Sequence, residues 1–166
     1  MSHQDKLNLA ALQITPTSNL SDTLLQITTL IERAQRDLIG LDCIVLPEYT
    51  FGTFREWTVM KTDSDKLVQQ ILQAMSKIAC QYKIHIVAGT LPFQTKKKHW
   101  RNRSFLISAS GDIMGAYDKQ HPFRAEKIVD LEPGTQTPIF QLGPFQMAIL
   151  ICSDLWFHNL VAKIAS

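Results

Sequence analysis

Asp42-Cys43-Ile44-Val45-Leu46-Pro47-Glu48 is an apolar burst closed by a proline and then a carboxylate. Four consecutive apolar residues ahead of a breaker read as a strand, and proline ends the ladder because it has no N–H to donate. The stretch predicts a central strand with Glu48 at its C-terminal end, the end at which open α/β sheets gather ligands.

Working outward towards the N-terminus, Leu24, Ile27, Ile31, Ala34 and Leu38 alternate three- and four-residue steps. That spacing predicts a helix with one buried face, Ser21 as its N-cap and Gly40 as its stop. The apolar run 7–14 before it, interrupted at Thr15-Pro16, reads as a buried strand. Towards the C-terminus, residues 49–62 carry Tyr49, Phe51, Phe54 and Trp57 in a connection longer than strand-to-helix loops need, so this loop is expected to line a site. Val68, Ile71, Met75 and Ile78 predict a second helix capped by Asp63 or Ser64, and 84–90 a further strand. The order β-α-β-α-β implies neighbouring parallel strands covered by helices, an α/β protein.

Beyond residue 100 the texture changes. Residues 104–110 and 113–117 flank Gly111-Asp112, and 140–142 and 145–151 flank Gly143-Pro144, each reading as an antiparallel hairpin. Residues 154–165 are helix-compatible. The cluster Lys96-Lys97-Lys98-His99-Trp100-Arg101-Asn102-Arg103 interleaves cations with an aromatic, as single-strand nucleic-acid binders do. Lying between two strands in a chain of low net charge, it reads instead as a solvated hairpin tip.

Bulk properties bound the rest. With 166 residues, 45% hydrophobic and 19% charged, the chain is one globular domain, neither disordered nor collagenous. A net charge of +2 argues for no nucleic-acid or anionic-membrane partner. Cys43, Cys80 and Cys152 are odd in number and lack metal-ligand spacing, as do the five histidines, so neither a disulfide framework nor a metal site is expected. With no signal-like segment and no span-length apolar run, the expected location is the cytoplasm.

Three residues carry the chemistry. Cys152 follows an apolar run and precedes a helix-compatible segment, so its thiol is expected at a strand-to-helix turn. There the helix terminus would lower its pKa and the Ser153 N–H could face an oxyanion; equally, a free cysteine is often simply core. Glu48 ends one strand, and Lys119 leaves another within Tyr117-Asp118-Lys119-Gln120-His121. Singly, Glu48 reads equally as a surface glutamate at a strand end and Lys119 more readily as a solvated loop lysine, and His121 reads equally as a substrate contact or a polar loop residue.

Taken in order, Val45-Leu46-Pro47-Glu48, Tyr117-Asp118-Lys119-Gln120-His121 and Leu150-Ile151-Cys152-Ser153-Asp154-Leu155 resemble the Glu-Lys-Cys signature of the nitrilase or carbon-nitrogen hydrolase superfamily. Leu12-Gln13, Val87-Ala88-Gly89-Thr90, Asn102, Pro133-Gly134 and Phe157 extend the match over most of the chain. The resemblance implies part of a four-layer α-β-β-α sandwich with mixed sheets and helices on the outer faces. It implies a hydrolase without metal or cofactor, acting on a small amide, N-carbamoyl compound or nitrile through a thioester, with Glu48, Lys119 and Cys152 catalytic. Glu126, with Glu132 as runner-up, would be a second glutamate helping to hold the substrate and the base; Tyr49, His121 and Ser153 complete the expected binding residues. The chain departs from the family pattern in having Ser153 directly after the cysteine and His158-Asn159-Leu160 further on. The family fold also continues well past its cysteine, so 1–166 is expected to be a domain incomplete at its C-terminus that self-associates. The alternative in a different class is a catalytically silent subunit with the same fold.

Overall fold

The computed structural model describes residues 6–15, 17, 19–53, 56, 64–97, 99–123, 126 and 131–165. Strands β1 (Leu9–Ala11), β2 (Cys43–Val45) and β3 (His85–Val87) run parallel, in register Leu9 to Cys43 to His85, with helix α1 (Leu20–Asp37) and helix α2 (Ser64–Tyr82) between them. The expected β-α-β-α-β unit is present. Strand β4 (Leu91–Gln94), strand β5 (Trp100–Ile107) and strand β6 (Ile113–Asp118) extend it antiparallel into a six-stranded mixed sheet. Both β3 and β4 lie along one edge of β5, while β6 takes the other edge.

The apolar burst of β2 is buried on both sides for a visible reason. Ile44 and Leu46 join Ile27, Ile31, Ile71 and Met75 beneath the two helices, whereas Cys43 faces Val87, Leu106, Tyr117 and Phe140 on the other side. That second face is covered by the hairpin of β7 (Phe140–Leu142) and β8 (Phe145–Met147) and by Ile149 and Ile151. The described layers are therefore helices, six-stranded sheet, and a small second sheet.

Several local expectations are corrected. The cap of α1 is Asn19, not Ser21: the Asn19 side chain accepts from the N–H groups of Ser21 and Asp22, so the helix begins at Leu20. Of the two residues expected to cap α2, Asp63 lies outside the described residues and Ser64 is the first helical position. Strand β4 goes unmarked in the sequence because Pro92 sits in it, opposite Asn102 on β5. The basic cluster is only partly a hairpin tip, since Trp100, Arg101, Asn102 and Arg103 belong to β5. There Arg101 and Arg103 both hold Asp118 at 2.9 and 2.6 Å, Arg101 also holds Glu132 at 2.7 Å, and Arg103 lies 3.8 Å over the Phe93 ring. Strand β8 stops at Met147 because residues 148–151 find no ladder partner among the described residues. The segment after Cys152 divides into a single-turn 3-10 helix (Cys152–Trp156) and helix α3 (His158–Ala165). No described helix is long and apolar enough to cross a membrane.

Candidate active site

Glu48 stands just past the end of β2, where Pro47 turns the chain. The turn is seated on Gly89: Leu46 N–H donates to Val87 O at 3.0 Å and Tyr49 N–H to the Thr90 hydroxyl at 2.9 Å. Gly89 has φ +63, and a Cβ on it would lie 2.3 Å from Pro47 O, so only glycine lets the two segments approach this closely. Lys119 leaves the end of β6 with its N–H on Asn102 O at 2.9 Å and its carbonyl on Gly134 N–H at 2.9 Å. Gly134 is required there for space, since a Cβ would sit 2.2 Å from Asp118 O.

From these two strand ends the side chains converge. Lys119 Nζ lies 2.8 Å from Glu48 Oε1 and 2.8 Å from Glu126 Oε2, with its side chain only 1% exposed. Asn102, fully buried on β5, donates through Nδ2 to Glu48 Oε1 and to Glu126 Oε1, both at 2.8 Å. Glu126 also accepts from the Tyr49 hydroxyl and from the Phe123 N–H. Two carboxylates and one ammonium leave the cluster with net charge −1. Burial works to raise the Glu126 pKa, but hydrogen bonds from Lys119, Tyr49, Phe123 and Asn102 outweigh it and hold the carboxyl below its ordinary value. For Lys119, burial works to lower the pKa, and the two glutamates reverse it, so the ammonium is held more firmly than in water.

Cys152 opens the 3-10 turn in a left-handed conformation, φ +48, and Tyr49 beside Glu48 is likewise left-handed at φ +60. Such backbones cost non-glycine residues about 1–3 kcal/mol each and cluster where a side chain must be aimed. The exposed Cys152 thiol lies beside Glu48, whose carboxylate acts on it both by charge and as a hydrogen-bond acceptor. Burial and Glu48 raise the thiol pKa, against the opposing pull of Lys119 and the Ser153 N–H. The expected helix-terminus activation is thus corrected. The turn at Cys152 is too short to act as a helix end, and burial first, then the neighbouring Glu48 carboxylate, push the thiol pKa up rather than down.

The turn is pinned to the lysine loop through Asp154, which is wholly buried. Its carboxylate accepts from Tyr117 OH at 2.7 Å, His121 N–H at 2.9 Å, Gln120 N–H at 3.2 Å and Ile151 N–H at 3.1 Å. His121 Nδ1 lies 3.0 Å from Asp154, its ring stacks on Phe157 at 3.5 Å, and its carbonyl accepts the Ser153 hydroxyl at 2.6 Å.

Of the residues marked in the sequence, Glu48, Lys119, Glu126 and Tyr49 meet in one cluster, with Cys152 and the Ser153 N–H at its edge. His121 lies next to them but partners Asp154 and Phe157. Glu132, the runner-up for the second glutamate, is excluded from the cluster by its bond to Arg101. Phe54 and Trp57 lie outside the described residues. Asn102 and Asp154 appear in the sequence only as parts of a resemblance. Their signals are an asparagine on the same inward face of β5 as Ser104 and Leu106, and a carboxylate three residues after Ile151, where it can accept the first free N–H of a turn. Asn102 has a further peculiarity: among the described residues nothing donates to its buried Oδ1. An orphaned acceptor of this kind costs about 1–3 kcal/mol.

The carbon-nitrogen hydrolase family model matches residues 8–166. The chain belongs to that family. It is 25% identical over 170 residues to the omega-amidase Nit3 of Saccharomyces cerevisiae, covering 93% of this chain and 58% of that protein. It is 27% identical over 165 residues to the deaminated glutathione amidase of Synechocystis, covering 91% and 59%. A solved amidase from Nesterenkonia superposes with TM-score 0.80 at 22% identity over 93% of this chain and 59% of that one, which supports the α/β fold of the nitrilase superfamily. This family member therefore spans less than two thirds of the length of these relatives.

Proposed function

We propose that the chain carries the nucleophile, base and oxyanion group of a hydrolase that cleaves the carbon-nitrogen bond of a small amide, N-carbamoyl compound or nitrile. The observation that carries this reading is the meeting of Glu48 with Lys119 at 2.8 Å beside the Cys152 thiol, two groups from strand ends and a third from a 3-10 turn. For an amide, Glu48 accepts the thiol proton as sulfur bonds to the carbonyl carbon and the C=O electron pair moves onto oxygen. Lys119 has three N–H donors, of which Glu48 and Glu126 take two; the third, with the Ser153 N–H, meets that oxyanion. Collapse breaks the C–N bond, and Glu48 returns its proton to the departing nitrogen, leaving a thioester on Cys152. Glu48 then takes a proton from water, whose oxygen adds to the thioester carbon. The carboxylic acid leaves and the thiol is restored. Glu126 and Tyr49 hold the cluster against the substrate side. The omega-amidase and amidase activities named for the relatives favour small amides within this class.

The test is ammonia release from a panel of small amides, carbamoyl compounds and nitriles, with Cys152→Ala as the blank and acrylamide as a trap for the thiol. Ammonia that disappears in Cys152→Ala supports the reading. A panel without turnover, in a protein whose Cys152 alkylates no faster than a free thiol, ends it and leaves the silent subunit, which the exposure of Cys152 favours as the second reading.

A further inference from the structure

The two carboxylates of the cluster share not one donor but two. Lys119 binds Glu48 Oε1 and Glu126 Oε2, and Asn102 binds Glu48 Oε1 and Glu126 Oε1. The backbone of the same asparagine accepts the Lys119 N–H, so Asn102 touches three members of the cluster. Resting on the hydrolase reading above, we propose that Asn102 is a positioning residue: a neutral double donor that fixes the spacing of the two glutamates and occupies Oε1 of Glu48, leaving Oε2 to exchange the thiol proton.

The chemistry favours a neutral group in this place. A second cation would neutralise the site and weaken Glu48 as a base, while an apolar residue would leave two like charges held by a single rotating ammonium. Lys119 must also turn part of its hydrogen bonding to the oxyanion, and the Asn102 donors stay on the carboxylates while it does. The amide cannot be flipped, because both carboxylates only accept. Its Oδ1 is consequently left without a donor among the described residues, the mark of a side chain chosen for its N–H groups. The charged and titratable groups facing the amide are Glu48, Glu126 and Lys119, with Tyr49 and Cys152 one contact further out. Arg101 and Arg103, its neighbours on β5, are committed to Asp118 and Glu132.

Two near-isosteric variants test this. Asn102→Leu removes both donors and Asn102→Asp replaces them with a third carboxyl group. In either, provided thermal unfolding shows a folded chain, Cys152 alkylation by acrylamide at pH 7 is expected to fall roughly tenfold or more. Loss of donors to the charged carboxylates should also move the acid limb of the alkylation–pH profile upward by about half a unit to one unit. The drop in amide turnover should fall on kcat rather than KM. A folded variant with the wild-type rate and the wild-type acid limb overturns the proposal. Should both variants fail to fold, the wild-type chain still decides through the NMR signals of the Asn102 side-chain amide. Slow solvent exchange and a shift as the carboxylates titrate support the bridge, and exchange at the rate of a free amide overturns it. Alkylation and exchange need no turnover: a wild-type chain that hydrolyses nothing on the panel and alkylates no faster than a free thiol removes the hydrolase reading, while the exchange of the Asn102 side-chain amide still decides its role at the carboxylates.

Discussion

A buried lysine between two glutamates makes the site sensitive to acid in a direction that can be worked out. Glu126 is folded with its pKa below the ordinary value near 4.5, so in the window between the two values the unfolded chain binds more protons than the folded one. Its contribution to stability is present above the unfolded pKa and is lost as the pH falls through the folded one; Asp118, held down by Arg103 and Arg101 against its burial, adds to the same limb. Lys119 runs the other way, its contribution being lost only as the pH rises through its elevated folded value. Urea unfolding should therefore give a plateau at neutral pH and a decline below the ordinary carboxylate range. Glu126→Gln should lower stability at pH 7 by about 1–3 kcal/mol, since the buried ammonium loses a charged partner but keeps a hydrogen-bond acceptor. It should also shallow the acid decline. The same acid slope in Glu126→Gln as in the wild type would show that the cluster is not what titrates.

At the scale of elements, the site depends on loops held to strand ends, and Gly89 is the position where this is most exposed to mutation. Gly89→Ala forces a Cβ against Pro47 O in a left-handed backbone, so a loss of about 1–3 kcal/mol is expected from overpacking, with added strain. Because the displaced turn carries Glu48, thiol alkylation at Cys152 should slow as well. An alanine variant of unchanged melting temperature and unchanged alkylation rate would contradict the seating described for this turn. What the sequence makes legible follows the same division. Continuous apolar runs and three-four spacing locate β2, α1 and α2, because burial on one or both faces leaves a local period. The Glu48 and Lys119 positions are legible as strand ends, whereas Cys152, expected at one, opens a 3-10 turn past the end of β8. Asn102 is not, since its partners stand 54 and 24 residues away and an asparagine in a strand has no local pattern to announce it. The same is true of Asp154, whose acceptor role depends on Tyr117 and the lysine loop, more than thirty residues earlier in the chain. The short end of β8 escapes for the opposite reason: residues 145–151 are patterned as a strand, but a ladder needs a neighbour.

At the scale of the molecule, the surface around the site is unusually apolar. Leu155 is 59% exposed, Trp156 67% and Phe157 44%, close after Cys152, and Phe123 packs edge-on against Trp156. A cavity of about 330 Å³ lies between residues 147–152 and strands β1 to β3; Glu48 and Cys152 are among its lining, as is Leu9, which is 48% exposed. Isolated exposed leucines need no explanation, but large apolar side chains grouped beside a segment without a ladder partner among the described residues favour association. Burying Trp156 and Leu155 alone against a second copy would return about 1.5–3 kcal/mol each, before the cost of association is met. We therefore expect sedimentation at micromolar concentration to show dimers or larger species. Trp156→Lys combined with Leu155→Glu should shift them to monomer while leaving the melting temperature of the fold nearly unchanged, because neither side chain belongs to the two buried clusters. If the thiol reactivity of Cys152 falls with that shift, the second copy also shapes the site. A wild-type chain that sediments only as monomer would show that these side chains face water.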